Sequence, residues 1–216
     1  MNNLQAYINQ LRFDFCKDTL LESNTCPNPI DQFEKWFHEA VITEVNTPNA
    51  MMVCTVNPTG QPSARILLLR NFSKKGFVFY TNYHSRKGND LELNPKIAAT
   101  FYWPELERQV RLEGTVQKQT TEESDQYFAL RPDTSKLGAW TSPQSQVIES
   151  RATLEKEYEK LSSVFTGSHI KRPDFWGGYL LTPHLIEFWQ GRPSRLHDRI
   201  NYRLIENNWI QERLAP

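Results

Sequence analysis

The sequence predicts a mainly β protein with added helices, an α+β fold built on a closed antiparallel barrel. Five segments of strand composition follow one another between Ala50 and Gln117. The turn sequences Pro58–Gln61 and Ser73–Gly76 are short, and short turns favour antiparallel neighbours because parallel pairs need long crossovers. There is no βαβ unit and no GxGxxG motif, which argues against a dinucleotide-binding α/β fold.

The first 28 residues are predicted to be a helical segment followed by a linker. Apolar residues recur at helical spacing as far as about Leu21; they are Leu4, Tyr7, Ile8, Leu11 and Phe15. Glu22–Pro29 is polar and contains prolines, which is typical of a linker. We therefore expect residues 1–28 to be a separate segment, a candidate lid, and residues 29–216 to be the main domain.

A second helix is predicted to begin at Pro29, since proline suits the first helical turn. Its buried stripe is predicted to be Ile30, Phe33, Trp36, Phe37, Ala40 and Val41. The strands that follow are predicted at Ala50–Val56, Ser63–Leu69, Phe77–Thr81, Ile97–Trp103 and Val110–Gln117. Helices are predicted from Thr121 to about Leu130 and over Ile148–Phe165. The last strands are predicted at Tyr179–Leu181, Ile186–Gln190, Ile200–Ile205 and Trp209–Glu212, with Asn207 and Asn208 in the final turn.

Composition excludes several classes of protein. The 25 basic residues balance the 25 acidic residues, so the chain lacks the basic excess of a general nucleic-acid binder. It has no signal-peptide pattern and no apolar run of about 20 residues, so we expect a cytoplasmic protein without a membrane span. Cys16, Cys26 and Cys54 form no CxxC pair and are expected to be free thiols. No ligand spacing indicates a metal site.

Two clusters near the middle of the chain suit anions. In Arg65–Arg70, strand alternation would direct the two arginines to opposite faces, where they could serve different anions; a strand with charged ends is the simpler alternative. Tyr80–Lys87 follows a strand and precedes a helix that starts near Ser85. Free N–H groups at that helix start, together with Arg86 and Lys87, would suit a phosphate, whereas a solvated basic turn is the alternative.

Two further clusters lie towards the C-terminus. Tyr127 and Arg131 are four residues apart on one helical face, with Ser135 just beyond, and this set suits a phosphate monoester; an ordinary helix end is the alternative. Glu187–Arg199 contains three arginines, a histidine and an aromatic pair. Arg195 and His197 would share one face if this segment were extended, although a structural role for the histidine is the commoner outcome.

These clusters, in this order, resemble the pyridoxamine 5′-phosphate oxidase family from about Asp31 to Pro216. The motifs that carry the resemblance are Phe79–Asn82 with Ser85–Lys87, Leu106–Val110, Gly138–Trp140 with Gln144–Ser145, Phe175–Gly178, Glu187–Gly191 with Arg195–Arg199, and Arg213–Pro216. The resemblance implies an FMN-binding split β-barrel, a homodimer, and oxidation of pyridoxamine or pyridoxine 5′-phosphate by O₂ to pyridoxal 5′-phosphate and H₂O₂.

The resemblance also implies roles for individual residues. The FMN contacts would be Arg65, Ile66, Leu67, Leu68, Tyr80, Thr81, Arg86, Lys87, Gln109, Gln144, Ser145, Trp189 and Arg199. The substrate contacts would be Arg70, Tyr127, Arg131, Ser135, Arg195, His197 and, in the N-terminal segment, Arg12. Arg195 and His197 would act at the reacting end of the substrate, and hydride transfer itself would be flavin chemistry.

The chain departs from the family pattern at two positions. Arg70 stands where the family usually has lysine, which changes the shape and reach of that cation. Phe15 stands where tyrosine is common, so a lid hydroxyl is lost. Two other functions stay open: a different flavin split-barrel enzyme that uses a nicotinamide or deazaflavin donor, and a non-catalytic protein that carries FMN or pyridoxal 5′-phosphate.

Overall fold

The computed structural model describes residues 4–11, 14–165 and 169–216 of the chain. Its helices are α1 Leu4–Gln10, α2 Pro29–Ile42, α3 Arg86–Leu93, α4 Thr121–Ala129, α5 Asp133–Thr141 and α6 Arg151–Val164. Its strands are β1 Ala50–Val56, β2 Pro62–Leu68, β3 Asn71–Ser73, β4 Gly76–Asn82, β5 Lys96–Trp103, β6 Arg108–Lys118, β7 Trp176–Gln190, β8 Asp198–Ile205 and β9 Asn208–Leu214. Among these helices, none is long and apolar enough to cross a lipid bilayer.

The strands form one sheet in the order β2-β1-β5-β6-β7-β4-β3, and β8 pairs with both β7 and β9. The pairs β1–β2, β3–β4, β4–β7, β7–β8 and β8–β9 are all antiparallel. The register places Val53 opposite Arg65, and Trp189 opposite Arg199. The prediction of an antiparallel sheet with added helices is therefore confirmed.

The chain divides into two compact units. The first unit comprises the chain up to Pro48, Thr100–Leu112 and His184–Pro216. The second unit comprises Asn49–Ala99 and Glu113–Pro183. Strands β5, β6 and β7 contribute residues to both units. The predicted division near residue 29 stays a prediction.

The core of the first unit is built around α2. Asn28 caps this helix by accepting a hydrogen bond from the Ile30 N–H at 2.9 Å. The buried face of α2 then packs Phe33 against Phe101, with ring centres 5.1 Å apart, and Trp36 edge-on to Phe188 at 5.2 Å. Each such ring contributes about 1.5–3 kcal/mol by leaving water.

Two capped helices organise the second unit. The Ser85 hydroxyl accepts a hydrogen bond from the Gly88 N–H and so starts α3. Thr120 and Glu123 form a reciprocal capping box at the start of α4, with bonds of 3.1 and 3.0 Å. Gly88 packs so closely on the loop before it that a Cβ there would lie 2.0 Å from the Tyr83 carbonyl oxygen. The start of α3 is thus held tightly against the end of β4.

Several predicted elements change in the structure. The prediction of β1 is correct at both ends, and the predicted ends of β2, β4, β5 and β6 are within two residues of the observed ends. The short strand β3 and the helix α5 were not predicted, and the strands predicted at Tyr179–Leu181 and Ile186–Gln190 are one strand, β7. Helix α1 ends at Gln10 rather than near Leu21, and α6 begins only at Arg151.

One predicted side-chain burial and one predicted turn are wrong. Val41 is 50% exposed although it was expected in the buried stripe of α2, because the stripe ends at Ala40. The final turn consists of Glu206 and Asn207, whose positive φ angles of 49° and 64° form the tight link, while Asn208 already belongs to β9. Such two-residue hairpin turns need positive φ at both positions.

Candidate functional site

Lys87 is a buried cation that lacks a carboxylate partner in the described part of the chain. It lies in the first turn of α3 and is 7% exposed. Its ammonium donates to Gln144 Oε1 at 2.8 Å, Thr81 Oγ1 at 3.0 Å and Ser85 Oγ at 3.2 Å. All three acceptors are neutral, so the positive charge is not balanced locally. An unbalanced buried ammonium costs free energy unless an anion binds there.

Arg65 belongs to the same cluster. Its guanidinium donates to Thr55 Oγ1 at 2.9 Å and Ser63 Oγ at 2.7 Å. The buried Thr55 hydroxyl in turn donates to Asp90 Oδ2 at 2.7 Å. Thr55 and Asp90 were missed by the sequence analysis, since they lie 35 residues apart and belong to no local motif.

The electrostatics of this cluster favour a bound anion. Burial, and then the nearby Arg65 charge, lowers the pKa of Lys87 to about 8. Burial also lowers the pKa of Arg65; the nearby Asp90 charge opposes this shift, and the charge of Arg86 adds to it. A phosphate at this place would relieve both desolvated cations. We call Arg65, Thr81, Arg86, Lys87 and Gln144 the Lys87 cluster.

The other residues predicted for this cofactor differ in exposure. On β2, Ile66 is 62% exposed, whereas Leu67 and Leu68 are half-buried. Arg86 and Ser145 are exposed, and Ser145 has a positive φ of 73°. The exposed positions offer groups to a ligand without moving the core.

A second cluster surrounds Arg131. Tyr80 and Tyr127 stack with ring centres 3.8 Å apart, and both rings stack with Trp176, at 5.4 and 6.2 Å. The Arg131 guanidinium carbon lies 4.5 Å from the centre of the Trp176 ring. Its Nη1 atom is buried and has no hydrogen-bond partner. We call Arg70, Tyr127 and Arg131 the Arg131 cluster, because the charge of Arg70 is close enough to lower the pKa of Arg131 further after burial.

Tyr80 and Ser135 are two further predicted site residues in the second unit. Burial raises the pKa of Tyr80 to about 12, so its hydroxyl stays protonated at neutral pH. Ser135 is half-buried in the first turn of α5, where its N–H bonds the Pro132 carbonyl at 2.9 Å. The helix α5 that carries it was not predicted. Trp176 belongs to the Phe175–Gly178 motif, and the structure places it beside Tyr80, Tyr127 and Arg131.

The first unit contains the remaining predicted residues. Arg199 makes a bidentate ion pair with the buried Glu187, with hydrogen bonds of 2.8 and 3.0 Å. These bonds raise the pKa of Arg199. Arg111 reaches the same carboxylate at 3.0 Å. Gln109 is half-buried on β6. Glu187 therefore orients Arg199 through two parallel hydrogen bonds, which is the geometry that guanidinium and carboxylate prefer.

His197 and Trp189 form an aromatic group with Phe15. The centres of the His197 and Trp189 rings are 4.7 Å apart, and Phe15 lies edge-on to each at 5.6 Å. The His197 Nδ1 atom accepts a hydrogen bond from the Arg192 N–H at 3.1 Å. In the neutral ring the proton is then on Nε2. Burial, and then the charge of Arg195, lowers the pKa of His197 below its usual range.

The segment that carries Phe15 is held in place by Glu107. One oxygen of this buried carboxylate accepts the N–H groups of Cys16 and Lys17 at 2.8 and 3.0 Å. Phe15 also packs on Gly191, where a Cβ would lie 2.7 Å from the Phe15 side chain. Arg12, predicted to contact the substrate, lies outside the described residues.

One geometric argument from the sequence is wrong. Arg195 and His197 would share a face only if the segment were extended, and the structure shows that it is not. Instead Pro193–Arg195 form a 3-10 turn in which Ser194 and Arg195 have positive φ angles of 57° and 62°. Arg195 is exposed, whereas His197 is half-buried. Their roles as catalytic residues stay a prediction.

The fold and these clusters define an antiparallel α+β protein with buried and half-buried cations suited to phosphate-bearing ligands. Two family profiles match the chain: Pyridoxamine 5′-phosphate oxidase over residues 37–165, and Pyridoxine 5′-phosphate oxidase C-terminal dimerisation region over residues 176–216. The chain belongs to the pyridoxamine 5′-phosphate oxidase family.

Known proteins of the same kind are similar over nearly the whole chain. The pyridoxine/pyridoxamine 5′-phosphate oxidase of Neisseria gonorrhoeae is 53% identical over 97% of this chain and 99% of its own length. The protein of the same name from Acaryochloris marina is 52% identical over 98% of this chain and 97% of its own. Among solved structures, PhzG from Burkholderia lata, in complex with tetrahydrophenazine-1-carboxylic acid, matches with a TM-score of 0.87 and 27% identity over 92% of this chain and 98% of its own.

Proposed function

We propose that the protein catalyses the FMN-dependent oxidation of pyridoxamine or pyridoxine 5′-phosphate by O₂. The products are pyridoxal 5′-phosphate and H₂O₂, with ammonia from the amine. One observation carries the proposal: the buried Lys87 and the half-buried Arg131 have no carboxylate partner in the described residues and stand where the family motifs have phosphate ligands. Relatives that carry the oxidase name support it.

The residues of the Lys87 cluster fit the phosphate of FMN. Arg65, Arg86 and Lys87 supply positive charge, and two of these cations are desolvated, which the lowered pKa values of Arg65 and Lys87 reflect. The proposed FMN contacts are Arg65, Ile66, Leu67, Leu68, Tyr80, Thr81, Arg86, Lys87, Gln109, Gln144, Ser145, Trp189 and Arg199. When bound, FMN supplies the hydride acceptor and passes the electrons to O₂.

The Arg131 cluster fits the phosphate of the substrate. The guanidinium of Arg131 is half-buried and makes no ion pair in the described residues, so it can donate to a phosphate oxygen, and Arg70 and the Tyr127 hydroxyl supply a second charge and a further donor. The proposed substrate contacts are Arg12, Arg70, Tyr127, Arg131, Ser135, Arg195 and His197. Anchoring the phosphate holds the reactive carbon in one place, which lowers the entropic part of the barrier.

The hydrogen bonding of His197 favours a positioning role over proton removal. Its Nδ1 lone pair already accepts the Arg192 N–H, so the neutral ring presents a donor at Nε2. The lowered pKa keeps this ring neutral at pH 7. A neutral Nε2–H donor suits an oxygen of the substrate, and the permanently charged Arg195 suits its phenolate.

We further propose a cytoplasmic homodimer. The match of residues 176–216 to a dimerisation region supports assembly through the C-terminal part of the chain. The free cysteines Cys16, Cys26 and Cys54 agree with a reducing compartment. Sedimentation of the flavin-loaded protein tests the dimer, and a fully active monomer would contradict it.

The function is tested by anaerobic flavin reduction in a stopped-flow instrument. Pyridoxine 5′-phosphate should bleach the flavin absorbance of the purified protein, whereas NADH should not. Reduction by NADH alone would indicate the reductase alternative, and bound flavin that neither donor reduces would indicate a carrier protein. Arg195→Ala and His197→Ala should each lower kcat/KM at least about tenfold, or about 1.4 kcal/mol, without loss of flavin. Wild-type reduction rates in both variants would remove these residues from the site.

A further inference from the structure

The Arg131 guanidinium is positioned by aromatic rings rather than by hydrogen bonds. Its central carbon lies 4.5 Å from the Trp176 ring centre and 5.3 Å from that of Phe128. Nη1 is buried without a hydrogen-bond partner. No ion pair to Arg131 occurs within the described ranges of the chain. A guanidinium that has five N–H donors is ordinarily oriented by carboxylates or carbonyls, so the rings must do this here.

The same indole supports a second member of the Arg131 cluster. Trp176 is parallel to Tyr127 within 6° and to Tyr80 within 13°, with Tyr80 and Tyr127 stacked on each other. Tyr127 lies in the last turn of α4, and Arg131 follows just beyond the end of that helix. One tryptophan therefore contacts both the phenol and the guanidinium that the proposed substrate site requires.

The backbone around Trp176 makes the indole a rigid support. Trp176 is the first residue of β7, opposite Asn82 of β4, and it is 8% exposed. Its N–H donates to the Pro173 carbonyl at 3.0 Å, and its carbonyl accepts from Arg172 Nη1 at 2.6 Å. The backbone is held by these bonds, and the indole is buried against Tyr80 and Phe128, so the ring has little freedom to move.

An aromatic face orients a cation without neutralising it. A carboxylate in this place would compete with an incoming phosphate for the same N–H groups. The face of an indole attracts the guanidinium by about 0.5–2 kcal/mol but accepts none of its in-plane hydrogen bonds. Arg131 thus keeps its charge and its N–H edge for a ligand.

We infer that Trp176 is a positioning residue of the oxidase, which holds Arg131 and Tyr127 ready for the substrate phosphate. The inference rests on the proposed function, because it takes Arg131 to be a phosphate ligand. Trp176 itself touches neither the substrate nor the reacting atoms in this assignment.

The test compares Trp176→Leu and Trp176→Phe in the flavin-loaded enzyme, with rates expressed per bound flavin. Trp176→Leu should raise KM for pyridoxine 5′-phosphate about three- to thirtyfold, which is the range that a cation–π contact implies. The value of kcat should stay within about twofold. Trp176→Phe keeps an aromatic face, so its KM should lie closer to that of the wild type than the KM of Trp176→Leu does. If Trp176→Leu lowers the folded fraction, Trp176→Phe serves as the test variant instead.

Trp140→Leu is the matched control. Trp140 packs on the same hydrophobic cluster as Trp176, but its ring contacts are with Phe165 and Phe175. The KM of Trp140→Leu for pyridoxine 5′-phosphate should equal that of the wild type. An equal rise in KM for Trp140→Leu would show a general packing effect and overturn the inference.

A double-mutant cycle with Arg131→Ala separates positioning from packing. Because Trp176 supports Tyr127 as well as Arg131, Trp176→Leu should still raise KM in the Arg131→Ala background, but by a clearly smaller factor than in the wild type. Fully additive effects would overturn the inference, as would an unchanged KM in Trp176→Leu. A wild-type enzyme that does not oxidise pyridoxine 5′-phosphate would instead refute the proposed function, so the two failures are distinguishable.

Discussion

Replacement of Lys87 by methionine should make the flavin-free protein more stable while it weakens FMN binding. Lys87 is buried, and its partners Gln144, Thr81 and Ser85 are all neutral. Its pKa falls from 10.5 to about 8, mainly because burial penalises the charged form. At about 1.4 kcal/mol for each tenfold change, this corresponds to about 3 kcal/mol of destabilisation at pH 7.

The hydrogen bonds lost with the ammonium reduce this gain only partly. Ser85 Oγ still donates to the Asn82 carbonyl at 2.7 Å, and Thr81 Oγ1 still donates to Gln144 Oε1 at 3.2 Å. Neither hydroxyl is left without a partner, so the loss stays near the usual 1 kcal/mol or so for neutral groups. We expect Lys87→Met to raise the unfolding free energy of the flavin-free protein by about 1–3 kcal/mol.

The pH dependence has a definite sign. The folded-state pKa of Lys87, about 8, lies below the ordinary value of 10.5 that holds in the unfolded chain. Between these values the unfolded state binds more protons, so the stability of the wild type rises with pH. The advantage of Lys87→Met should therefore be complete below about pH 8 and should disappear as the pH approaches 10.5.

Urea unfolding of the flavin-free protein at one fixed protein concentration measures the free energy of unfolding. Flavin fluorescence titration measures the affinity for FMN. Loss of a charge-assisted contact should weaken FMN binding about ten- to more than hundredfold. Lys136→Met is the control: Lys136 is also 7% exposed but is paired with the Asp133 carboxylate at 3.0 Å, so this variant should not gain stability. A flavin-free Lys87→Met protein less stable than the wild type, or one with unchanged FMN affinity, would refute the reasoning.

Three more variants follow from the clusters. Thr55→Val removes the hydroxyl between Arg65 and Asp90 without a change in shape, so the FMN affinity measured by fluorescence titration should fall about three- to tenfold. Thr55→Ser keeps the hydroxyl and should bind FMN like the wild type. Equal FMN affinity in all three proteins would contradict this role. Arg70→Lys should change kcat/KM for pyridoxine 5′-phosphate less than about threefold, because it restores the usual family residue; a large loss in steady-state assays would show a pocket rebuilt around arginine. Glu187→Gln leaves the charges of Arg199 and Arg111 uncompensated, so the free energy of unfolding measured in urea should fall by about 1–3 kcal/mol. An unchanged unfolding midpoint would contradict the structural role of this carboxylate.

Local sequence signals were sufficient for most of the secondary structure. The helix starts at Ser85 and Thr120 follow from side chains that cap their own helices within a few residues. The strand β1 follows from composition and the turn after it. By contrast, β3 has three residues and exists through pairing with β4. The continuous strand β7 contains Pro183, which by itself suggests a break.

The candidate site was only partly visible in the sequence. The residue types of the Lys87 and Arg131 clusters were readable from motifs, because the residues of each motif are close together along the chain. The expectation that Tyr127 and Arg131 share one helical face is wrong, since α4 ends at Ala129 and Arg131 lies beyond it. The turn at Pro193–Arg195 was not readable, since positive φ angles at serine and arginine are uncommon and need support from the surrounding structure.

The sequence alone determined the class of the fold, the family motifs and the kinds of charged groups that the sites contain, because these depend on neighbours along the chain. Only the tertiary structure decided which of these charges are buried and which have a counter-charge. Lys87 meets neutral acceptors up to 57 residues away, and Arg131 rests on Trp176, which lies on a distant strand. Burial and charge balance arise from contacts between segments far apart in the chain, so no local pattern contains them.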